Sequence, residues 1–327
     1  MSQASRPLLS VVMPCYNEEG NVAEAVAQVR SVMASLPEFD YEHLFIDNAS
    51  TDKTVDALRR LCAEDRRVKV IVNSRNFGHI RSPTYGLMAA AGVAAVILPS
   101  DLQEPPSLIP ALVAEWQKGH RSVLTVKRSV QESFVLANIR RVYYHLINRL
   151  SDVELVKNAT GFGLYDASVI AILRELNDPY PYLRGLICEI GAPVGRVYYD
   201  QQRRTRGITK NNFYTLYDIA MLGITSHSKV PLRLATLMGF SLSALSLLAA
   251  IGYLIAKLLF WPQFPLGTAP LLIGVFTISS VQLFFIGLLG EYIGTIHTQI
   301  LRRPLVIEQT RINFDRPAAT PQQESSP

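Results

Sequence analysis

Apolar and polar positions along the first 130 residues read as strand, loop and helix, repeated. Leu8 to Met13 is an apolar run of strand length, and beyond the turn Pro14 to Gly20 the residues Val22, Ala25, Val26, Val29 and Met33 fall on one helical face. The unit recurs: Tyr41 to Ile46 is strand-like, Asp52 is placed to cap a helix through Leu61, and Val68 to Val72 is again apolar. Ser82 to Ala91 predicts a helix, Val93 to Leu98 a strand, Pro106 to Lys118 a helix with proline near its first turn, and Ser122 to Val126 a strand. Such alternation predicts an α/β fold, a parallel sheet with helices on both faces.

The pattern changes in the last third. Leu234 to Ala256 (23 residues) and Ala269 to Gly290 (22 residues) contain no Asp, Glu, Lys or Arg. At about 1.5 Å of rise per residue each covers a hydrocarbon core of roughly 30 Å. A buried helical pair is the alternative, but a helix inside a soluble domain rarely stays uncharged on every side for that length. Lys229 and Arg233 precede the first stretch and Arg302 and Arg303 follow the second, while Leu258 to Thr268 carries no formal charge. The positive-inside rule therefore puts both termini in the cytoplasm. These stretches account for the positive mean hydropathy of +0.17 and for a charged fraction of only 18% in 327 residues. Met1 to Pro7 has neither the basic nor the apolar region of a signal peptide, so the N-terminal part is expected to stay cytosolic. Cys15, Cys62 and Cys188 lack metal-ligand or disulfide spacing and are expected as buried small apolar residues.

In a parallel sheet a ligand sits beyond the carboxyl ends of the strands, and acids follow three of them here: Glu18 after the first, Asp47 after the second and Asp101 after the fourth. Any one alone reads as a helix cap or a solvated turn; three at one edge suit a metal or a hydroxyl-rich ligand. Within Pro99-Ser100-Asp101-Leu102-Gln103-Glu104-Pro105-Pro106, an extended backbone would point Asp101 and Gln103 to the same side. Such hard oxygen ligands, with room left for phosphate oxygens, suit Mg2+ or Mn2+ rather than zinc. No G-x-x-x-x-G-K-[ST], H-E-x-x-H or G-x-S-x-G occurs, and Gly161-Phe162-Gly163 reads as a turn.

Val11-Val12-Met13-Pro14-Cys15-Tyr16-Asn17-Glu18-Glu19, Ile46-Asp47-Asn48-Ala49-Ser50-Thr51-Asp52, Asn76-Phe77-Gly78 and Ser100-Asp101-Leu102-Gln103, taken in order, resemble the family 2 glycosyltransferases of GT-A (Rossmann-like) fold. Arg204-Thr205-Arg206-Gly207-Ile208-Thr209-Lys210, Ser228 to Arg233 and the two apolar stretches narrow the resemblance to the polyprenyl-phosphate glycosyltransferases, the group of dolichol-phosphate mannose synthase and bactoprenol glucosyltransferase. It extends over residues 8 to 305. It implies a cytosolic GT-A domain over 1–210, juxtamembrane amphipathic helices over 211–233, two transmembrane helices over 234–290 and a cytosolic C-terminal segment over 291–327, whose polar end is expected to be disordered.

The activity implied is inverting transfer of one sugar from a UDP- or GDP-linked donor to a polyprenyl (undecaprenyl-type) phosphate. The place implied is the cytosolic face of the inner membrane, with a homo-oligomer and a flippase as partners. Pro14, Tyr16, Glu18 and Asp47 match positions that hold the base and ribose of the donor, and Asp101 and Gln103 match the metal-binding pair. Two departures stand out: the first Asp of D-x-D is Pro99, and the family's Asp-Phe-Arg-Leu is Gly161-Phe162-Gly163-Leu164. The missing acid need not end catalysis, because an isoprenoid monophosphate, with its second pKa around 6, is already largely dianionic near neutrality. It needs partial neutralisation instead, for which Arg204 and Lys210 are the leading candidates and Arg203, Arg206 and Lys127 the weaker ones. A basic flap that only touches anionic membrane lipid is the alternative for this segment. Nucleic acid is a poorer partner, since the net charge is only +5 and the basic cluster abuts apolar helices. Two other readings stay open: a processive polysaccharide synthase, for which Gln201 to Thr205 gives only part of Q-x-x-R-W, and a non-catalytic membrane scaffold.

Overall fold

The computed structural model describes residues 6–128, 156, 159–200, 230–259, 268–301 and 303–314. Arg203, Arg204, Arg206 and Lys210, residues 211–229 of the expected juxtamembrane helices, and the tail from 317 lie outside the described residues. What is described falls into two compact units, one built on a sheet and one holding two long helices.

The sheet unit follows the strand-helix alternation. Its elements are β1 (Leu8–Cys15), α1 (Val22–Met33), β2 (Asp40–Asp47), α2 (Thr54–Glu64), β3 (Val68–Asn73), α3 (Gly78–Ala89) and β4 (Ala94–Ile97). A 3-10 turn (Pro106–Leu108), α4 (Ile109–Gln117), β5 (Ser122–Lys127), β6 (Ala159–Asp166), α5 (Ala167–Leu176), α6 (Leu183–Glu189) and β7 (Val194–Tyr199) follow. The sheet order is β7-β5-β6-β4-β1-β2-β3-β8, where β8 is Glu308–Ile312. β1 pairs in parallel with β2 and β4, β2 with β3, and β5 with β7; β6 and β8 run antiparallel to their neighbours. The sheet is mostly parallel and Rossmann-like.

The α1 face read from the sequence is the face that packs: Val22, Ala25, Val26, Val29 and Met33 are its buried residues. Asp52, expected as the cap of α2, stands one residue before its N-cap Lys53, and its Oδ1 accepts from the Thr54 amide at 3.0 Å. One apolar layer joins α1, α2 and α4 to one side of the sheet, and a second joins α3, α5 and α6 to the other.

Three expectations change. Gly161-Phe162-Gly163 is not a turn but the middle of β6, which inserts between β4 and β5. Glycine is required there by close approach: at Gly163, with φ of +150°, a Cβ would lie 2.0 Å from the Val123 carbonyl oxygen. Cys188 is only half-buried, unlike Cys15 and Cys62, and none of the three forms a disulfide. Residues 303–314, read as part of a separate C-terminal segment, belong to the sheet unit. β8 closes the edge of β3, and Leu305 and Val306 pack against Phe77. Asn313, at φ of +66°, fixes the end of this segment by donating to the carbonyls of Cys62 and Val68 at 2.9 and 2.8 Å. A strand of five residues with alternating half-exposed positions has too little apolar signal to be read in advance.

His43 of β2 is buried against Phe45, ring centroids 4.3 Å apart, and its Nε2 has no partner among the described residues. Burial lowers its pKa to about 3, against a small opposing pull from Asp65. The folded value lies below the unfolded one of 6.5, so the unfolded chain takes up the proton first and stability falls as pH drops from about 6.5 towards about 3. A His43→Leu variant is expected to lose this term, on the order of a few kcal/mol over that window. Its acid-unfolding midpoint, followed by circular dichroism, should move to lower pH; an unmoved midpoint rejects the assignment.

The second unit contains α7 (Val230–Leu259) and α8 (Thr268–Ile300). Both apolar stretches of the sequence lie inside these helices. Among the described residues one stretch, Ile278–Ile300, is long and apolar enough to cross a membrane, with 23 residues, a mean hydropathy of 1.3 and no burial. It extends beyond the expected end at Gly290, set by the first charged residue, Glu291, because a glutamate does not interrupt helical hydrogen bonding.

Candidate active site

The loops that leave β1, β2, β3 and β4 meet at one edge of the sheet. Asn17 and Ala49 adopt left-handed backbone, with φ of +57° and +60°, which turns the first two loops sharply enough to lie against each other. Asn17 binds across the gap in both directions: its amide donates to Ser50 Oγ at 2.9 Å and its Oδ1 accepts from the Thr51 amide at 2.8 Å. The Glu18 amide donates to Thr54 Oγ1 at 2.8 Å, while the Glu18 carboxylate accepts from Asn21 Nδ2 at 2.5 Å. Tyr16 is half-buried beside them.

Asp47, at the end of β2, is fully buried. It accepts from the Ser50 amide at 2.9 Å and from the Ser50 hydroxyl. Burial pushes its carboxyl above the usual range, the Ser50 bonds pull it back, and the nearby charge of Asp52 pushes it up again. The adjacent Cys15 thiol is driven up by burial and then by Asp47, so it is an inert neighbour rather than a nucleophile. Asn48, which sequence reasoning passed over, ties β2 to the Asn76-Phe77-Gly78 loop. It donates to Asn76 Oδ1 at 2.9 Å and to the Gly78 carbonyl at 3.2 Å, and accepts from the Phe77 amide at 2.9 Å.

The β4 loop is tied to the first strand through Pro14, whose carbonyl accepts from the Ser100 hydroxyl at 2.9 Å. The segment is not extended as expected. Leu102 has φ of +58° and a buried side chain, so the backbone folds back and the Gln103 amide donates to Asp101 Oδ1 at 3.1 Å. Asp101 and Gln103 are thus brought together by a turn, and both stay half-exposed at the edge. Among the described residues no group of three His, Cys, Asp or Glu side chains could hold a metal. One carboxylate and one amide oxygen still fit Mg2+ or Mn2+, which bind through one or two carboxylates, several waters and substrate phosphates.

Sequence reasoning also missed Glu104 and Tyr199. Glu104 is buried and accepts a hydrogen bond from the Tyr199 hydroxyl at the end of β7. Burial raises its pKa, opposed by Tyr199 and by the charge of Lys127, with Asp101 adding to the rise. Lys127, one of the expected residues, therefore ends β5 on the Asp101 side of the site. Pro14, Tyr16, Glu18, Asp47, Asp101, Gln103 and Lys127 all stand at strand ends or in the loops of this edge.

A sequence model of glycosyl transferase family 2 matches residues 10–172, which covers these loops. Glycosyltransferase sll0501 of Synechocystis is 33% identical over 300 residues, 91% of this chain and 94% of its own. Glycosyltransferase YkcC of Bacillus subtilis is 33% identical over 92% of this chain and 93% of its own. The bactoprenol glucosyl transferase of Shigella phage SfII is 32% identical over 91% of this chain and 96% of its own. With a mostly parallel sheet whose carboxylate-bearing loops meet at one edge, this chain is a glycosyltransferase and belongs to family 2.

Proposed function

We propose that the enzyme transfers a single sugar, with inversion, from a UDP- or GDP-linked donor to a polyprenyl phosphate at the cytosolic face of the membrane, giving a lipid-linked monosaccharide. The observation that carries this reading is the reach of the similarity. Identity with the phage bactoprenol glucosyl transferase spans 301 residues, so it runs past the sheet and into the long helices. In this reading α7 and α8 are both membrane spans, of 30 and 33 residues, with both termini cytoplasmic. Assembly as a homo-oligomer and hand-over of the product to a flippase belong to the same reading.

Pro14, Tyr16, Glu18 and Asp47 would hold the base and ribose, Asp47 as a hydrogen-bond acceptor already oriented by Ser50. Asp101 and Gln103 would hold Mg2+ or Mn2+, which when bound supplies positive charge to the departing diphosphate. An oxygen of the acceptor phosphate attacks the anomeric carbon from the face opposite the bond to the nucleotide, and the nucleoside diphosphate leaves with that electron pair. No proton has to be removed from a phosphate dianion, which agrees with Gly161 at a position where the resemblance led us to expect an acid. Arg204 and Lys210, with Arg203, Arg206 and Lys127 in support, would screen the two anions as they approach.

The test is incubation of detergent-purified enzyme with polyprenyl phosphate and radiolabelled UDP- or GDP-sugars, with and without Mn2+. The expected product is one sugar on one lipid, formed only with the cation. A ladder of longer products would assign a processive synthase, and no product from any donor, with the fold intact, would assign a scaffold.

A further inference from the structure

Two arginines stand at this same edge, on the face covered by α3, α5 and α6, and no described carboxylate pairs with either. β6 runs antiparallel to β4 with Gly163 opposite Ile97, so Gly161 and Ala159 lie beyond the end of β4, level with the Asp101 loop. Gly161 has φ of +85°, and a Cβ there would meet Arg184 Cγ at 3.0 Å and Cδ at 3.7 Å. The methylenes of Arg184 therefore occupy the space that a side chain at 161 would take. From the first turn of α6, Arg184 sends its Nη1 to the Ala159 carbonyl at 3.1 Å and lays its guanidinium over Tyr182, 5.2 Å from the ring centroid. That carbonyl is its one hydrogen-bond acceptor among the described residues, which leaves most of a five-donor fork unused.

Arg81 repeats the arrangement from the first turn of α3. Its guanidinium lies 5.2 Å from the ring centroid of Tyr180, and its Nε is buried with no partner among the described residues. Tyr180 and Tyr182 belong to the single loop that joins α5 to α6, so one short segment carries both stacked guanidiniums. Stacking on an aromatic face fixes a guanidinium plane while leaving its edge open, the geometry that suits bidentate binding of a phosphate. Position along the sheet selects which phosphate. The carboxylates read as nucleoside contacts lie on β1 and β2, the cation pair follows β4, and Arg184 lies beyond it at β6.

We infer that Arg184 anchors a phosphate-monoester subsite that receives the acceptor phosphate on the side of Asp101 away from the nucleoside; Arg81, whose helix follows β3 on the nucleoside side, lies outside it. This rests on the acceptor proposed above. A donor diphosphate and an anionic lipid headgroup share the same chemistry, and the experiment separates them.

Full-length enzyme in detergent is compared with Arg184→Gln, which keeps a donor for the Ala159 carbonyl but removes the charge, with Arg184→Lys, and with Arg81→Gln. Initial rates are measured against polyprenyl phosphate and against nucleotide sugar, and inorganic phosphate binding is followed by calorimetry. The expected result is a KM for polyprenyl phosphate raised roughly 10- to 100-fold in Arg184→Gln, with the donor KM within about twofold, partial recovery in Arg184→Lys, weaker inorganic phosphate binding in parallel, and no comparable rise in acceptor KM in Arg81→Gln. A rise in donor KM alone in the Arg184 variants would assign Arg184 to the diphosphate and overturn the inference. So would unchanged constants with weakened binding only to phosphatidylglycerol vesicles, or unchanged values throughout. If the wild type uses no polyprenyl phosphate yet binds inorganic phosphate through Arg184, the proposed acceptor fails while the anion subsite stands.

Discussion

Replacing Asp101 with alanine is expected to lower turnover by about 1,000-fold, a barrier increase of about 4 kcal/mol at 1.36 kcal/mol per tenfold. The size of the effect follows from Pro99. With proline at the other position of the motif, Asp101 is the one acid of the proposed cation pair, and Gln103 would contribute only a neutral oxygen. In the function proposed above, removing Asp101 would take away the charge that would hold the cation against the leaving diphosphate. Gln103→Ala should cost much less, about tenfold, and should be partly rescued by raising Mn2+, because the remaining carboxylate still attracts the ion. Rates measured over a Mn2+ series, with thermal unfolding as a control for fold, decide the matter. An Asp101→Ala enzyme that turns over at the wild-type rate would remove the metal from this account.

The second large effect is structural. Gly163→Ala places a methyl group 2.0 Å from the Val123 carbonyl oxygen, in a strand hydrogen-bonded on both sides and with φ of +150°. Neither the backbone of β5 nor that of β4 can retreat without opening the centre of the sheet. A loss on the order of 3–5 kcal/mol is expected, combining overpacking with backbone strain, and this is comparable to the whole stability of many domains. Folded yield and the unfolding midpoint in detergent should both drop sharply. Gly161→Ala, two residues away, meets only the flexible stem of Arg184 and should be milder; equal losses at the two positions would contradict the geometry.

Much of this fold could be read from the sequence because its regular parts are governed by periodicity. The five buried residues of α1 recur at helical spacing, and the parallel strands are short apolar runs between polar turns, so burial and pattern coincide. Glu18, Asp47 and Asp101 were legible for the same reason, since the end of each strand fixes where the next residues go. What stayed hidden depends on contacts between distant segments. Two glycines in three residues look like a turn, and only the squeeze of β5 against β6 makes them a strand. The left-handed Leu102 cannot be inferred from a leucine. Glu104 and Arg184 draw their significance from Tyr199 and from the empty position at Gly161, relations that no local pattern encodes.

The outermost strand of the sheet is drawn from residues 308–312, on the far side of both long helices in the chain. During translation β3 must therefore wait with a bare edge until α7 and α8 have been synthesised. A chain that ends within them would leave β3 with exposed amides along one border and no Leu305 or Val306 to cover Phe77. The catalytic sheet is therefore completed only after both long helices have been made.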